Sequence, residues 1–210
     1  MRTTRTEIWS ANEVTVEALI EAAAAGQLPE WANVSRRRRA HMERVAELLG
    51  DWARTLSLPE ADQIRWRAAG FLHDALRDAP AAELRPFVPE PLRLLSNKLL
   101  HGPAVAERLR HDGVQDESLL RAVAYHTIGH PALDELGRAL FIADYIEPGR
   151  RYDPARLAVL RARMPAARDD VLRDVLRARM ERLLAEGRAI RSETAAFWNA
   201  ISNHAAARES

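Results

Sequence analysis

The sequence predicts an all-α fold, a helical bundle in a single domain. Nine glycines are spread over 210 residues, while alanine, leucine and arginine, all good helix formers, are abundant. Apolar residues recur at three- and four-residue steps over long stretches, the spacing of one helix face. No segment alternates apolar and polar residues as a half-buried strand would, and neither an internal repeat nor a low-complexity tract is present.

The elements follow in order. Thr3 to Val34 reads as a helical lead-in (residues 1–34) with Val14, Ala18, Leu19 and Ala22 on one stripe, ended by Gly26 and Pro29. Ser35 is placed to cap a long helix to about Leu56, with Val45, Leu48, Leu49, Trp52 and Leu56 as its apolar face. Pro59 starts a helix running to about Arg77, with Glu60 and Asp62 in the first turn, where acids suit the dipole. Residues 79–91 hold four prolines and read as a loop or broken helix, a candidate lid. His101-Gly102-Pro103 opens a helix ending near Gly113, and Asp116 caps another through His126 that Gly129 and Pro131 break. A further helix carries Leu133, Leu136, Leu140, Ala143 and Asp144 and stops at Pro148-Gly149, and helices over 154–163, 168–186 and 191–204 complete the bundle before a 205–210 tail.

Composition excludes several classes. A 47% hydrophobic, 29% charged chain is that of a soluble globular domain and not of a disordered one. The net charge of +1 argues against a polyanionic partner. The Arg36 to Arg39 run reads as a solvated helix face, which argues against nucleic acid. Lys98 is the sole lysine; the excess of arginine runs through the whole chain and says little about function. With no cysteine, disulfides, thiolate nucleophiles and zinc–thiolate sites are excluded, so any metal must be held by imidazole and carboxylate. Met1 to Ser10 lacks an apolar signal core and no stretch approaches a membrane span, so the expected location is cytoplasmic, with no membrane partner.

The chemistry lies in a spaced set: His41, the adjacent His73-Asp74, His101, His126 and Asp144. The gaps of 32, 27, 25 and 18 residues are each about one helix plus a turn or a helical hairpin, so helices can bring these side chains together. His41, His126 and Asp144 fall on apolar helix faces, and an inward carboxylate needs a cation, metal or arginine. Taken singly, a histidine on an apolar face is more often a satisfied core residue than a ligand. Five blocks in order weigh more than any one of them. His111, His130 and His204 read as surface or helix-end residues.

The blocks resemble the YqeK-type HD-domain proteins, bacterial symmetrical hydrolases of diadenosine tetraphosphate. They are Arg38-x-x-His41-x-x-x-Val45, Phe71-Leu72-His73-Asp74, Leu100-His101-Gly102-Pro103, Ala124-Tyr125-His126-Thr127-Ile128-Gly129 and Ala143-Asp144-Tyr145-Ile146-Glu147-Pro148-Gly149-Arg150. The resemblance covers about residues 35–200, and the HD domain itself is expected over 35–204. It implies two divalent metals, iron first, with manganese, cobalt or zinc as alternatives. His41, His73, Asp74 and Asp144 would hold one metal, His101 and His126 the other, with Asp74 bridging. It implies cleavage of the tetraphosphate to two ADP by a hydroxide held between the metals, with Asp74, His73 and Arg77 in the catalytic set. Arg77, Lys98, Thr127 and Arg150 become candidate phosphate contacts, although Arg150 reads equally as a cation at a helix C-terminus and Lys98 as a solvated lysine. The chain departs from the family at Arg77, where lysine is usual, at Ala75, where a bulky residue is usual, and in its longer lead-in. The implied partner is a small nucleotide; a second copy of the chain is allowed but not fixed. Hydrolysis of a nucleoside monophosphate or cyclic nucleotide, or a nucleotide-sensing domain without turnover, are the rival readings. The Gly-Tyr-Pro branch is disfavoured because that tripeptide is absent.

Overall fold

The computed structural model describes residues 15–209, with side chains through residue 203. The first part of the lead-in, including Val14 and the Met1–Ser10 segment, lies outside the described residues, as do the side chains of His204 and of the 205–210 tail. Among the described residues the chain forms ten α-helices and no strand. They are α1 (Val16–Ala24), α2 (Arg36–Thr55), α3 (Glu60–Leu72), α4 (Ala81–Leu84), α5 (His101–His111), α6 (Glu117–Tyr125), α7 (Glu135–Ile146), α8 (Pro154–Ala162), α9 (Arg168–Ala185) and α10 (Ser192–Glu209). No described helix is long and apolar enough to cross a membrane.

Two caps, Ser35 and Asp116, are those the sequence offers, and Asp134 adds a third. Ser35 Oγ accepts from Arg38 N at 3.3 Å, Asp116 from Ser118 and Leu119 N, and Asp134 from Gly137 N at 3.0 Å. α2 packs on α3, α3 on α1, and α5 on α6, while α7 is gripped by α2, α6 and α9. α7 is accordingly buried along nearly its whole length, from Leu136 through Ile146. Two glycines permit close approaches of one helix to another helix's backbone. A Cβ at Gly70 would stand 2.4 Å from Ala46 Cα, where α2 crosses α3, and one at Gly102 would stand 2.8 Å from Val123 O, where α5 meets the end of α6. Both approaches bring metal-ligand candidates on different helices towards each other.

Two elements depart from the sequence reading. The helix expected to run to Arg77 ends at Leu72, and residues 73–78 form turns. The segment before α2 takes the backbone groups that would have continued it: Asn33 N donates to Ala75 O at 2.8 Å and Asp78 N to Asn33 O at 3.3 Å, while Ser35 N also donates to the Asp78 carboxylate at 2.7 Å. The proline-rich segment is not over the site. Leu84, Val88 and Leu92 are buried, and the Arg85 guanidinium binds Leu95 O and Asn97 Oδ1 at 3.3 and 2.6 Å, tying the segment onto itself.

Gly70→Ala is expected to push α2 and α3 apart and destabilise the fold by about 1–3 kcal/mol, the usual cost of overpacking. Urea unfolding of the variant against wild type checks this, and an unchanged midpoint would show that the crossing can relax.

Candidate metal centre

Helix ends place most of the site. His73 is the C-cap of α3 and His126 the C-cap of α6, not an interior residue as the sequence suggested. Each turns back and donates from Nδ1 to a carbonyl three residues earlier, His73 to Gly70 O and His126 to Val123 O, both at 2.8 Å. Those carbonyls are among the orphan acceptors of a helix C-terminus. The bonds put the proton on Nδ1 of both rings and leave Nε2 as a lone pair facing inward. His101 opens α5, His41 lies in the second turn of α2, and Asp144 is three residues from the C-terminus of α7.

The six side chains converge. His41 Nε2 lies 3.3 Å from His73 Nε2 and 3.2 Å from Asp144 Oδ1. His101 Nε2 lies 3.2 Å from His126 Nε2. Asp74 sits between the two pairs: Oδ2 is 3.6 and 3.5 Å from the Nε2 atoms of His41 and His73, and Oδ1 is 3.0 and 3.5 Å from those of His101 and His126. All six residues are buried, His73 completely. Two overlapping groups have donor atoms close enough to share an ion, His41 with His73 and Asp144, and His73 with Asp74 and His126. Lone pairs of imidazole and carboxylate that face one another in a buried space repel unless a cation lies among them. The donor set therefore fits a divalent metal of the borderline class.

Charged neighbours hold the carboxylates. Burial alone would raise the Asp74 carboxyl; the electrostatic pull of the His73 ring and the close contacts to His101, His126 and His73 outweigh it, and the balance lies well below the usual range. For Asp144 burial is outweighed by the Arg150 charge, the His41 hydrogen bond and the Arg179 charge, with the same result. Arg38 binds Asp74 Oδ2 at 2.7 Å, while Arg150 and Arg179 bind the two oxygens of Asp144 at 2.5 and 3.0 Å. Glu147 Oε1 receives His41 Nδ1 at 3.2 Å, and Arg44 Nε and Gly149 N bind its other oxygen at 2.5 and 2.6 Å. Burial would raise the Glu147 carboxyl, but the bonds from His41 and Arg44 bring it down to about 2. His41 is raised because its bonds to Asp144 and Glu147 outweigh desolvation, whereas desolvation lowers His73, and lowers His101 to about 4.

Asp74, His101, His126 and Asp144 of the cluster line a cavity of about 620 Å³, with His41 and His73 buried behind them. Every candidate substrate contact lines it: Arg77, Lys98, Thr127 and Arg150. Thr127 Oγ1 is 3.0 Å from His126 Nε2. Arg150 takes the helix C-terminal role weighed for it, donating to Asp144 O, a C-terminal carbonyl of α7, at 2.6 Å, and also lines the cavity. Residues 79–91 contribute nothing to this lining; the wall on that side is Ser96, Lys98 and Leu99. His111 and His130 stand apart from the cluster, the first half-exposed beside Asp112 and the second accepting from Ala132 N at 3.1 Å. The sequence reading missed the parts of Arg38, Arg44, Glu147 and Arg179. Arg38 and Glu147 stood inside the quoted blocks, so a signal existed; Arg179, 35 residues beyond Asp144 on α9, offered none.

These features define a helical protein with a buried histidine–aspartate centre able to hold metal. Residues 38–149, just over half of the chain, match the HD domain family model, and the chain belongs to that family. It is 35% identical over 98 residues to a protein of Halalkalibacterium halodurans named bis(5'-nucleosyl)-tetraphosphatase, symmetrical, covering 44% of this chain and 52% of that one. A Staphylococcus aureus protein of the same name is 32% identical over 133 residues, covering 60% of this chain and 64% of that protein. The matches thus span about half to under two thirds of these relatives' length. The fold is shared with a crystal structure of an HD superfamily hydrolase from Clostridium acetobutylicum described as involved in NAD metabolism, with a TM-score of 0.72 at 23% identity, over 82% of this chain and 92% of that one.

The metal-free protein is expected to lose stability as pH falls from about 6.5 towards 4, because His101 protonates in the unfolded chain before it does in the fold. Above that window the contribution is fully present. Melting temperature against pH in a chelator checks this, and a flat profile across it would refute the buried neutral imidazole.

Proposed function

We propose that this chain is a metal-dependent phosphohydrolase that cleaves diadenosine tetraphosphate symmetrically to two ADP. The observation that carries the reading is Asp74, whose two oxygens each face a pair of imidazole Nε2 atoms on the floor of a basic cavity. The two named relatives point to the substrate. His41, His73, Asp74 and Asp144 would hold one ion, His101 and His126 the second with Asp74 shared, and iron suits the set, with manganese, cobalt and zinc as alternatives. Such ions supply Lewis-acid chemistry, acidifying water and neutralising a phosphoryl oxygen.

The chain's own groups do the rest. Arg38 fixes the Asp74 carboxylate, and Glu147, clamped by Arg44, fixes the His41 ring and its tautomer. Arg77 and Lys98 line the cavity and make no ion pair among the described residues, so both are available to phosphate oxygens. Arg150, whose Nε and Nη2 are bonded to Asp144, would offer its remaining nitrogen, Nη1, to the next phosphate from that side. Thr127, whose Oγ1 stands 3.0 Å from His126 Nε2 in the cavity wall, would hydrogen-bond the attacking water or a phosphoryl oxygen beside the metals.

Chromatography of the products after incubating metal-loaded protein with diadenosine tetraphosphate is expected to give ADP alone; ATP plus AMP would overturn symmetrical cleavage. Asp74→Ala is expected to abolish turnover and to lower bound metal in elemental analysis, and unchanged turnover would sink the shared-carboxylate role. Glu147→Ala is expected to weaken metal binding by about 10- to 100-fold in titration calorimetry. Wild-type affinity in that variant would show that the His41 ring is held without it.

A further inference from the structure

The wall of the cavity beyond Asp144 is built largely from residues past the matched 38–149 stretch: Tyr152 from the loop after α7, Arg179 and Arg182 from α9, and Arg188 and Arg191 from the segment before α10. Its aromatic member stands out. Five large hydrophobic side chains are exposed among the described residues, namely Phe87, Leu94, Tyr152, Val159 and Leu184, and Tyr152, at 38%, is the one that lines the cavity. An aromatic ring left open to a basic cavity is out of place as core and apt as a surface for a flat ligand.

Its position is fixed by the end of α7. The last carbonyls of that helix lack intrahelical partners, and side chains from the following segment satisfy them. Arg150 donates to Asp144 O, Arg161 to Ile146 O at 2.6 Å, and Tyr152 Oη to Tyr145 O at 2.7 Å. The Tyr152 ring packs edge-wise on Tyr145, with centroids 5.4 Å apart. Tyr145 in turn lies under the Arg179 guanidinium, 5.3 Å from its centroid. The ring is thus held one residue along from Asp144, in the electrostatic reach of Arg150, Arg179 and Arg182. A phosphate met by Arg150 would carry its nucleoside towards this ring.

We propose that Tyr152 is the base-stacking, specificity-determining residue of the cavity, taking the purine of the nucleotide whose phosphates meet Arg150. This rests on the phosphohydrolase reading above. Stacking needs a π face and tolerates loss of the hydroxyl, so the side chains that separate the cases are leucine, which fills the space without stacking, and phenylalanine, which stacks.

The test uses manganese-loaded wild type, Tyr152→Leu and Tyr152→Phe. Calorimetry with ADP and with inorganic pyrophosphate reads binding, and kinetics on diadenosine tetraphosphate read KM and kcat. Tyr152→Leu is expected to weaken ADP binding and raise KM by about tenfold or more, with the loss in KM rather than kcat and with pyrophosphate binding unaltered. Tyr152→Phe restores wild-type values. Unchanged ADP affinity in the leucine variant overturns the proposal, and so does an equal loss for pyrophosphate, which would make Tyr152 a support for Arg150. Wild type that binds ADP but leaves the tetraphosphate intact would defeat the hydrolase reading alone, while the ADP and pyrophosphate comparison still decides the stack.

Discussion

The arrangement turns on one buried carboxylate. Asp74 is 3% exposed and lies within 3.6 Å of four imidazole Nε2 atoms. A charge so placed is tolerated only where compensation is built around it, since desolvation costs several kcal/mol per ion. The compensation comes from four places in the chain: α2 gives Arg38 and His41, the end of α3 gives His73, α5 gives His101 and the end of α6 gives His126. The successive histidines stand 32, 28 and 25 residues apart, so the fold is the shape that lets them meet. The two glycine crossings, Gly70 on Ala46 and Gly102 on Val123, are steric conditions for that meeting, because a methyl at either would hold a ligand-bearing helix away.

Helix termini do the fine positioning. An interior helical residue has its backbone groups bonded and only its rotamer to aim with. A C-terminal residue has a free carbonyl within reach, and His73 and His126 use one each to lock both ring orientation and tautomer. The same economy recurs after α7, where Arg150, Tyr152 and Arg161 answer the carbonyls of Asp144, Tyr145 and Ile146. Side chains that cap a helix are thereby delivered to the site carried by its last turn. The tight turns that create these positions depend on tertiary contacts, as when Asn33 and Ser35 end α3.

This explains which parts were legible in the sequence. Periodicity and capping residues located the helices well, because Ser35 and Asp116 act through groups two or three residues away. The ordered histidines and aspartates gave the cluster, because spacing alone says which helix faces can converge. The end of α3 was misjudged: the partner that stops it lies some 40 residues earlier, and no local pattern reports that. The 79–91 segment was mistaken for a lid since prolines signal irregular backbone but not its direction; Val88, fully buried, decides that it faces the core. The holders of the ligands, Arg44 and Arg179, were invisible for a further reason. With 30 acidic and 31 basic side chains, almost all of the latter arginine, an important guanidinium looks like any other until its partner is known.

Geometry then separates the arginines that build the site from those that face it. Arg179 reaches Thr127 O at 2.8 Å and Asp144 Oδ2 at 3.0 Å while its plane lies 4.3 Å from the Phe141 centroid. A lysine ammonium could bond both oxygens but has no planar face to lay on the Phe141 ring, so arginine here is structural in a way that charge alone does not require. Arg38 and Arg44 are spent in the same manner on Asp74 and Glu147, while Arg150 gives Nε and Nη2 to Asp144 and keeps Nη1 for the cavity. Once these are accounted for, Arg77 and Lys98 remain as cavity cations with no carboxylate partner. Both stand on the side of the cluster nearer His101, which leaves the Asp144 side to Arg150, Tyr152 and the arginines of α9. A ligand in this cavity would meet different chemistry on its two sides: cations without an ion-pair partner among the described residues on one, and an aromatic and guanidinium wall bonded to the end of α7 on the other. The asymmetry implies that one end of the ligand is oriented by contact and the other is held mainly by charge.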